Sequence, residues 1–68
     1  MRACIHVCLD PKGWLVKEDD GHMLRGYFYT QNEAVASARE VARRGGLELL
    51  VHGRYGEIQQ HDHAGVRG

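Results

Sequence analysis

Cys4, His6 and Cys8 alternate with apolar residues near the start of the chain, and His52, His61 and His63 follow towards its end. Thiol and imidazole groups hold borderline metal ions and serve as nucleophile and base, so these six positions define the chemistry open to the protein. Their spacing limits it. On a strand rising about 3.3 Å per residue, Cys4 and Cys8 have Cα atoms roughly 13 Å apart, beyond the roughly 7 Å reach of a disulfide. Two such thiolates do not share an ion through bonds of about 2.3 Å, so only Cys4 with His6, or His6 with Cys8, act together. No Cys-x-x-Cys pair is present. The expectation is therefore no metal site and no cofactor, with the histidines at the surface and the cysteines acting as small hydrophobes.

Catalysis needs a nucleophile with its base, or paired carboxylates, in a cleft that excludes water. A chain of 68 residues has little volume for one. His52 precedes Gly53 and has Asp62 within reach in sequence, yet a turn histidine is satisfied by backbone, and no enzyme is expected. Asp19-Asp20-Gly21 lacks the spaced carboxylates and closing Glu of a calcium loop and reads as a turn. On the helix edge, Glu40 and Arg44 at i,i+4 make a solvated pair.

The elements that must position these groups follow from periodicity. Residues 3–9 alternate, Ala3, Ile5, Val7 and Leu9 on one side against Cys4, His6 and Cys8, and predict a strand. Asp10-Pro11-Lys12-Gly13 turns the chain into a second strand from Trp14 to Lys17. The Asp20-Gly21 pair predicts a hairpin into a third strand, Leu24 to Tyr29. Thr30-Gln31-Asn32-Glu33 has the capping-box pattern, and Ala34, Val35, Ala38, Val41 and Ala42 recur at helical spacing before Gly45-Gly46. Residues 47–52 predict a fourth strand and 57–61 a fifth. The expected fold is α+β, in the order β-β-β-α-β-β: a five-stranded, mainly antiparallel sheet with one helix packed on one face. Residues 1–61 form the single domain and residues 62–68 an unstructured tail.

These residues carry a resemblance. Gly13-Trp14-x-Val16, Phe28-x-Thr30-x-x-Glu33-Ala34, the alanines at 38 and 42, and Leu49-x-Val51-His52-Gly53-x-x-Gly56-x-Ile58 resemble the small bacterial family catalogued as domain of unknown function 2188. The match spans residues 5–60. It implies a fold and a bacterial or phage origin, and carries no established activity or catalytic residues. The stretch from Gly13 to Ala42 is also similar to the arm-type DNA-binding domain of tyrosine recombinases, through its Trp-x-Val strand and its Phe-x-Thr-x-x-Glu-Ala helix start. Those domains use a strongly basic sheet, whereas here the three strands offer only Lys17 and Arg25, with Lys12 in a turn.

A single helix covers one face of a sheet, which leaves the other wet or paired. Alternation places Cys4, His6, Cys8, Lys17, Arg25, Tyr27, Tyr29, Leu50 and His52 on that open face, together with Leu15, Glu57, Gln59 and His61. The set is too apolar and aromatic for a purely solvated surface, and predicts a homodimer or protein partner. The alternative is a nucleic-acid-binding domain that stacks bases on Tyr27 and Tyr29, with Lys17, Arg25 and Arg54 on phosphates. Nine basic residues against nine acidic ones give no net charge, so that alternative is not favoured. No apolar run suits a membrane span or a signal peptide, and the expected compartment is the cytoplasm. The composition, 43% hydrophobic with one Pro, excludes a disordered chain. The reading is a small non-enzymatic interaction module.

Overall fold

The computed structural model describes residues 4–62. Strand β1, Cys4–Asp10, turns through Pro11-Lys12 into β2, Gly13–Glu18. Asp10 sets the turn, its Oδ1 accepting from the Lys12 amide at 3.1 Å. Gly13 takes a φ of 139°, and a Cβ there would stand 2.9 Å from the Phe28 carbonyl oxygen. Only glycine meets both demands.

After β2 the chain reverses through Asp19-Asp20-Gly21 and runs back along the outer edge of β2. The expected third strand is absent here. Residues 22–29 touch β2 through two isolated bridges, Lys17 with Met23 and Trp14 with Phe28. Between those bridges β2 advances three positions, 17 to 14, while the returning segment advances five, 23 to 28. Leu24 still donates to the Val16 carbonyl at 2.9 Å, and the two extra residues bow the Arg25-Gly26-Tyr27 stretch off the ladder, as an enlarged bulge does.

Helix α1, Gln31–Gly45, starts at the predicted capping box. Thr30 Oγ1 accepts from the Glu33 amide at 3.2 Å, and Glu33 Oε1 accepts from the Thr30 amide at 3.3 Å. Gly46, at φ 66°, ends it in the left-handed conformation. Its buried residues are Ala34, Ala38 and Ala42, one per turn. The helix therefore brings little bulk and lies close to the sheet, whose Ile5, Val7, Trp14, Val16, Leu49 and Val51 fill the core.

Strand β3, Glu48–His52, pairs with β1, and β4, Ile58–Asp62, pairs with β3. The order is β2-β1-β3-β4. This corrects the sequence reading: among the described residues the sheet has four strands, and it is mixed, its central pair being parallel. The β1–β3 pair is parallel, with Cys4 beside Glu48 and Val7 beside Val51. The direction follows from the path. Phe28 lies beside Trp14, next to the end of β1, whereas Glu48 lies beside its start. The helix carries the chain from one end of β1 to the other, so β3 must run the way β1 runs. Since the returning segment already lines the outer edge of β2, the free edge of β1 is where β3 docks. The expected tail from residue 63 onward lies outside the described residues, and β4 extends to Asp62.

Candidate functional site

Alternation along β1 and β3 sends Ile5, Val7, Leu49 and Val51 under the helix, and Cys4, His6, Cys8, Glu48, Leu50 and His52 to the other face. Register then aligns them into rows. One row crosses all four strands as Lys17, His6, Leu50 and His61; Leu15 and Cys8 pair in the next. Among the described residues no helix or strand lies over this face, yet its central members are half-buried by their own neighbours.

The polar groups of the face are linked. Asp19, in the turn after β2, brings Oδ1 to 2.5 Å from His6 Nε2, and its Oδ2 accepts from the Cys4 amide at 3.0 Å. On the other side of the same ring, His6 Nδ1 stands 3.1 Å from His52 Nε2. The ring centroids are 5.3 Å apart with 20° between planes. That separation is close to the nitrogen–nitrogen distance plus two ring radii, so the imidazoles meet edge to edge rather than face to face. Asp19, His6 and His52 form one chain.

Proton placement follows. A carboxylate only accepts, so His6 carries a proton on Nε2, and a single proton lies between Nδ1 of His6 and Nε2 of His52 whichever ring owns it. His6 and the backbone amide of Cys4 together hold the Asp19 carboxyl below the usual carboxylate range, the His6 hydrogen bond contributing most. A second carboxylate–imidazole pair, Glu48 Oε1 with His61 Nε2 at 2.7 Å, flanks the face on its β4 side.

The thiols are held protonated. Burial raises the Cys4 thiol first, and the Asp19 and Glu48 charges raise it further; burial also raises Cys8, against the opposing pull of Lys17. Neither is an activated nucleophile. Both are free thiols.

Six of the nine predicted site residues come together here: Cys4, His6, Cys8, Lys17, Leu50 and His52. Three do not. Tyr27 sits at the β1–β2 turn with Lys12 Nζ 5.9 Å from its ring centroid. Tyr29, 94% exposed, lines an open cleft of about 300 Å³ with Trp14, Thr30, Gln31, Arg54 and Gln59. Arg25 lies in the bulged stretch, where alternation no longer assigns a face. Sequence reasoning missed Asp19 and Glu48. The signal for Glu48 was its place two residues before Leu50; Asp19 is a turn residue, and nothing local marks it as reaching back to β1.

Residues 5–63 match a family described as an uncharacterised protein conserved in bacteria, domain of unknown function 2188. Among curated proteins, the chain is similar to the uncharacterised protein YdaT of Bacillus subtilis strain 168, at 33% identity over 60 residues. That match covers 88% of this chain and 40% of the relative, so the chain spans well under half of that protein's length. No solved structure matches.

Proposed function

Because the chain belongs to the bacterial family of domain of unknown function 2188, we propose that it is a small, non-enzymatic, cytoplasmic interaction module that self-associates through the open face of its sheet. The observation that carries this reading is the absence of cover: among the described residues, Cys4, His6, Cys8, Leu50 and His52 have neighbours in the sheet plane and no element above them. An apolar and imidazole-rich face of that kind gains by being paired.

Charge distribution supports a second copy as the occupant. Lys17 lies on β2 at one flank, and the Glu48–His61 pair lies on β3 and β4 at the other. A two-fold axis parallel to the strands sets β2 over β4 of the other copy, which brings Lys17 above the opposite copy's acidic flank and seats His6 on Leu50.

Size sets the strength. Four strands about 4.8 Å apart, five residues long at about 3.3 Å, present a face of about 300 Å² in projection. A stable complex buries about 800 Å² per partner, so the association belongs to the weak, concentration-dependent class. Nucleic acid on the same face is the competing reading, and the two tyrosines it would stack on stand at the hairpin turn and the helix-side cleft instead. Light scattering across protein concentration tests the dimer. Retention on heparin at varied salt separates the two readings, since phosphate contacts fall away steeply as salt rises.

A further inference from the structure

The Asp19–His6–His52 chain has the layout of a ligand pair with its supporting carboxylate. Two metal–nitrogen bonds of about 2.0–2.1 Å at a tetrahedral angle place their nitrogens about 3.3–3.4 Å apart. His6 Nδ1 and His52 Nε2 stand at 3.1 Å. An ion therefore takes the place of the shared proton once the pair opens slightly and each ring turns to aim its lone pair at the ion rather than at the other nitrogen. The displaced proton passes to solvent or to His52 Nδ1.

Asp19 prepares His6 for this. By accepting from Nε2 at 2.5 Å, the carboxylate keeps a proton on that nitrogen, so Nδ1 is the His6 atom left to bind once the proton shared with His52 is displaced, and it makes the ring a stronger donor. The two rings come from adjacent strands at the sheet centre, so their spacing is held by the β1–β3 ladder rather than by a loop. The face is open, which leaves room for water on the ion.

We propose that His6 and His52 form a two-imidazole chelate for a divalent transition ion of the copper–zinc class, with Asp19 as the positioning residue behind His6. Among the described residues, no three His, Cys, Asp or Glu side chains converge on one point. The described residues thus supply two donors and solvent the rest, unlike a closed structural zinc site with four protein ligands. Imidazole donors and an incomplete shell favour Cu(II), which binds most tightly in the first-row series. The site belongs to one copy of the chain and does not rest on self-association.

The test is titration of the full chain with Cu(II), by calorimetry and electron paramagnetic resonance, at dilutions where light scattering reads a single copy. The expected spectrum shows coupling to two imidazole nitrogens, and His6→Gln or His52→Gln each removes it. Asp19→Asn weakens affinity about 10- to 100-fold without removing either ligand. A chain carrying both His61→Gln and His63→Gln binds as the wild type does. Should a glutamine variant fail to fold, imidazole ¹⁵N spectra of the wild type with Zn(II) decide, with shifts confined to the rings of His6 and His52 expected. Absence of binding, binding unchanged in His6→Gln or His52→Gln, or loss in the His61, His63 variant overturns the proposal.

Discussion

His6 and His52 are 46 positions apart in the chain and share one proton across 3.1 Å. They meet on the diagonal. Val7 lies beside Val51 in the parallel β1–β3 register, so the residue directly across from His52 is Cys8, and His6 reaches over by one step on the same face. The contact exists because the helix returns the chain to the start of β1, which makes the central strand pair parallel.

The first prediction concerns this pair. A double-mutant cycle of His6→Gln and His52→Gln, read by urea unfolding, gives a coupling free energy within the range of about 0.5–3 kcal/mol found for residues in one hydrogen-bonded network. Additive effects would mean that the rings do not interact.

Acid should act through Asp19. Its folded-state value is lowered, so its stabilising contribution is complete above the ordinary Asp range, about 3.9, and is lost as pH falls through the folded value. Thermal melts between neutral pH and pH 2 should show an acid limb that is shallower in Asp19→Asn. An identical limb in both chains would contradict the hydrogen bonds from His6 and Cys4.

Packing on the other face makes a third prediction. The helix contributes alanines to the core, and Ala38 is fully buried against the sheet. Ala38→Leu overfills this contact and should cost about 1–3 kcal/mol, while Leu49→Ala leaves a void and should cost about 2–5 kcal/mol. Both are measured by denaturant midpoints.

Thiol reactivity separates the two cysteines. Both should alkylate with iodoacetamide more slowly than free cysteine at neutral pH, and faster as pH rises. Asp19→Asn should speed Cys4, whose thiol the carboxylate holds up, and leave Cys8 unchanged; Lys17→Ala should slow Cys8 alone. Mass spectrometry of the labelled peptides reads both rates.

Much of this architecture is legible from local pattern. The alternation at residues 4–9, the Asp-Pro-Lys-Gly turn and the Thr30–Glu33 capping box each act within a few residues, and each forms where the sequence places it. The third strand fails for a reason that local pattern does not contain. Leu24 to Tyr29 has the composition of a strand, and only its pairing with β2 exposes the two surplus residues between Met23 and Phe28. The same surplus dissolves the alternation that had put Arg25, Tyr27 and Tyr29 with the histidines. Strand direction is also a property of the whole path, which is why the parallel β1–β3 pair, and with it the meeting of His6 and His52, is invisible to periodicity. The open-face residues on β1, β2 and β3 were found because period two survives there.

Self-association through the uncovered face is the claim on which the functional reading stands, and light scattering over a concentration series measures it most directly. The account predicts a mass that rises from that of one 7.7 kDa chain towards twice that value as concentration increases, with Leu50→Ser folded and fixed at the lower mass. A mass that stays at one chain throughout, or a Leu50→Ser chain that associates like the wild type, would contradict it.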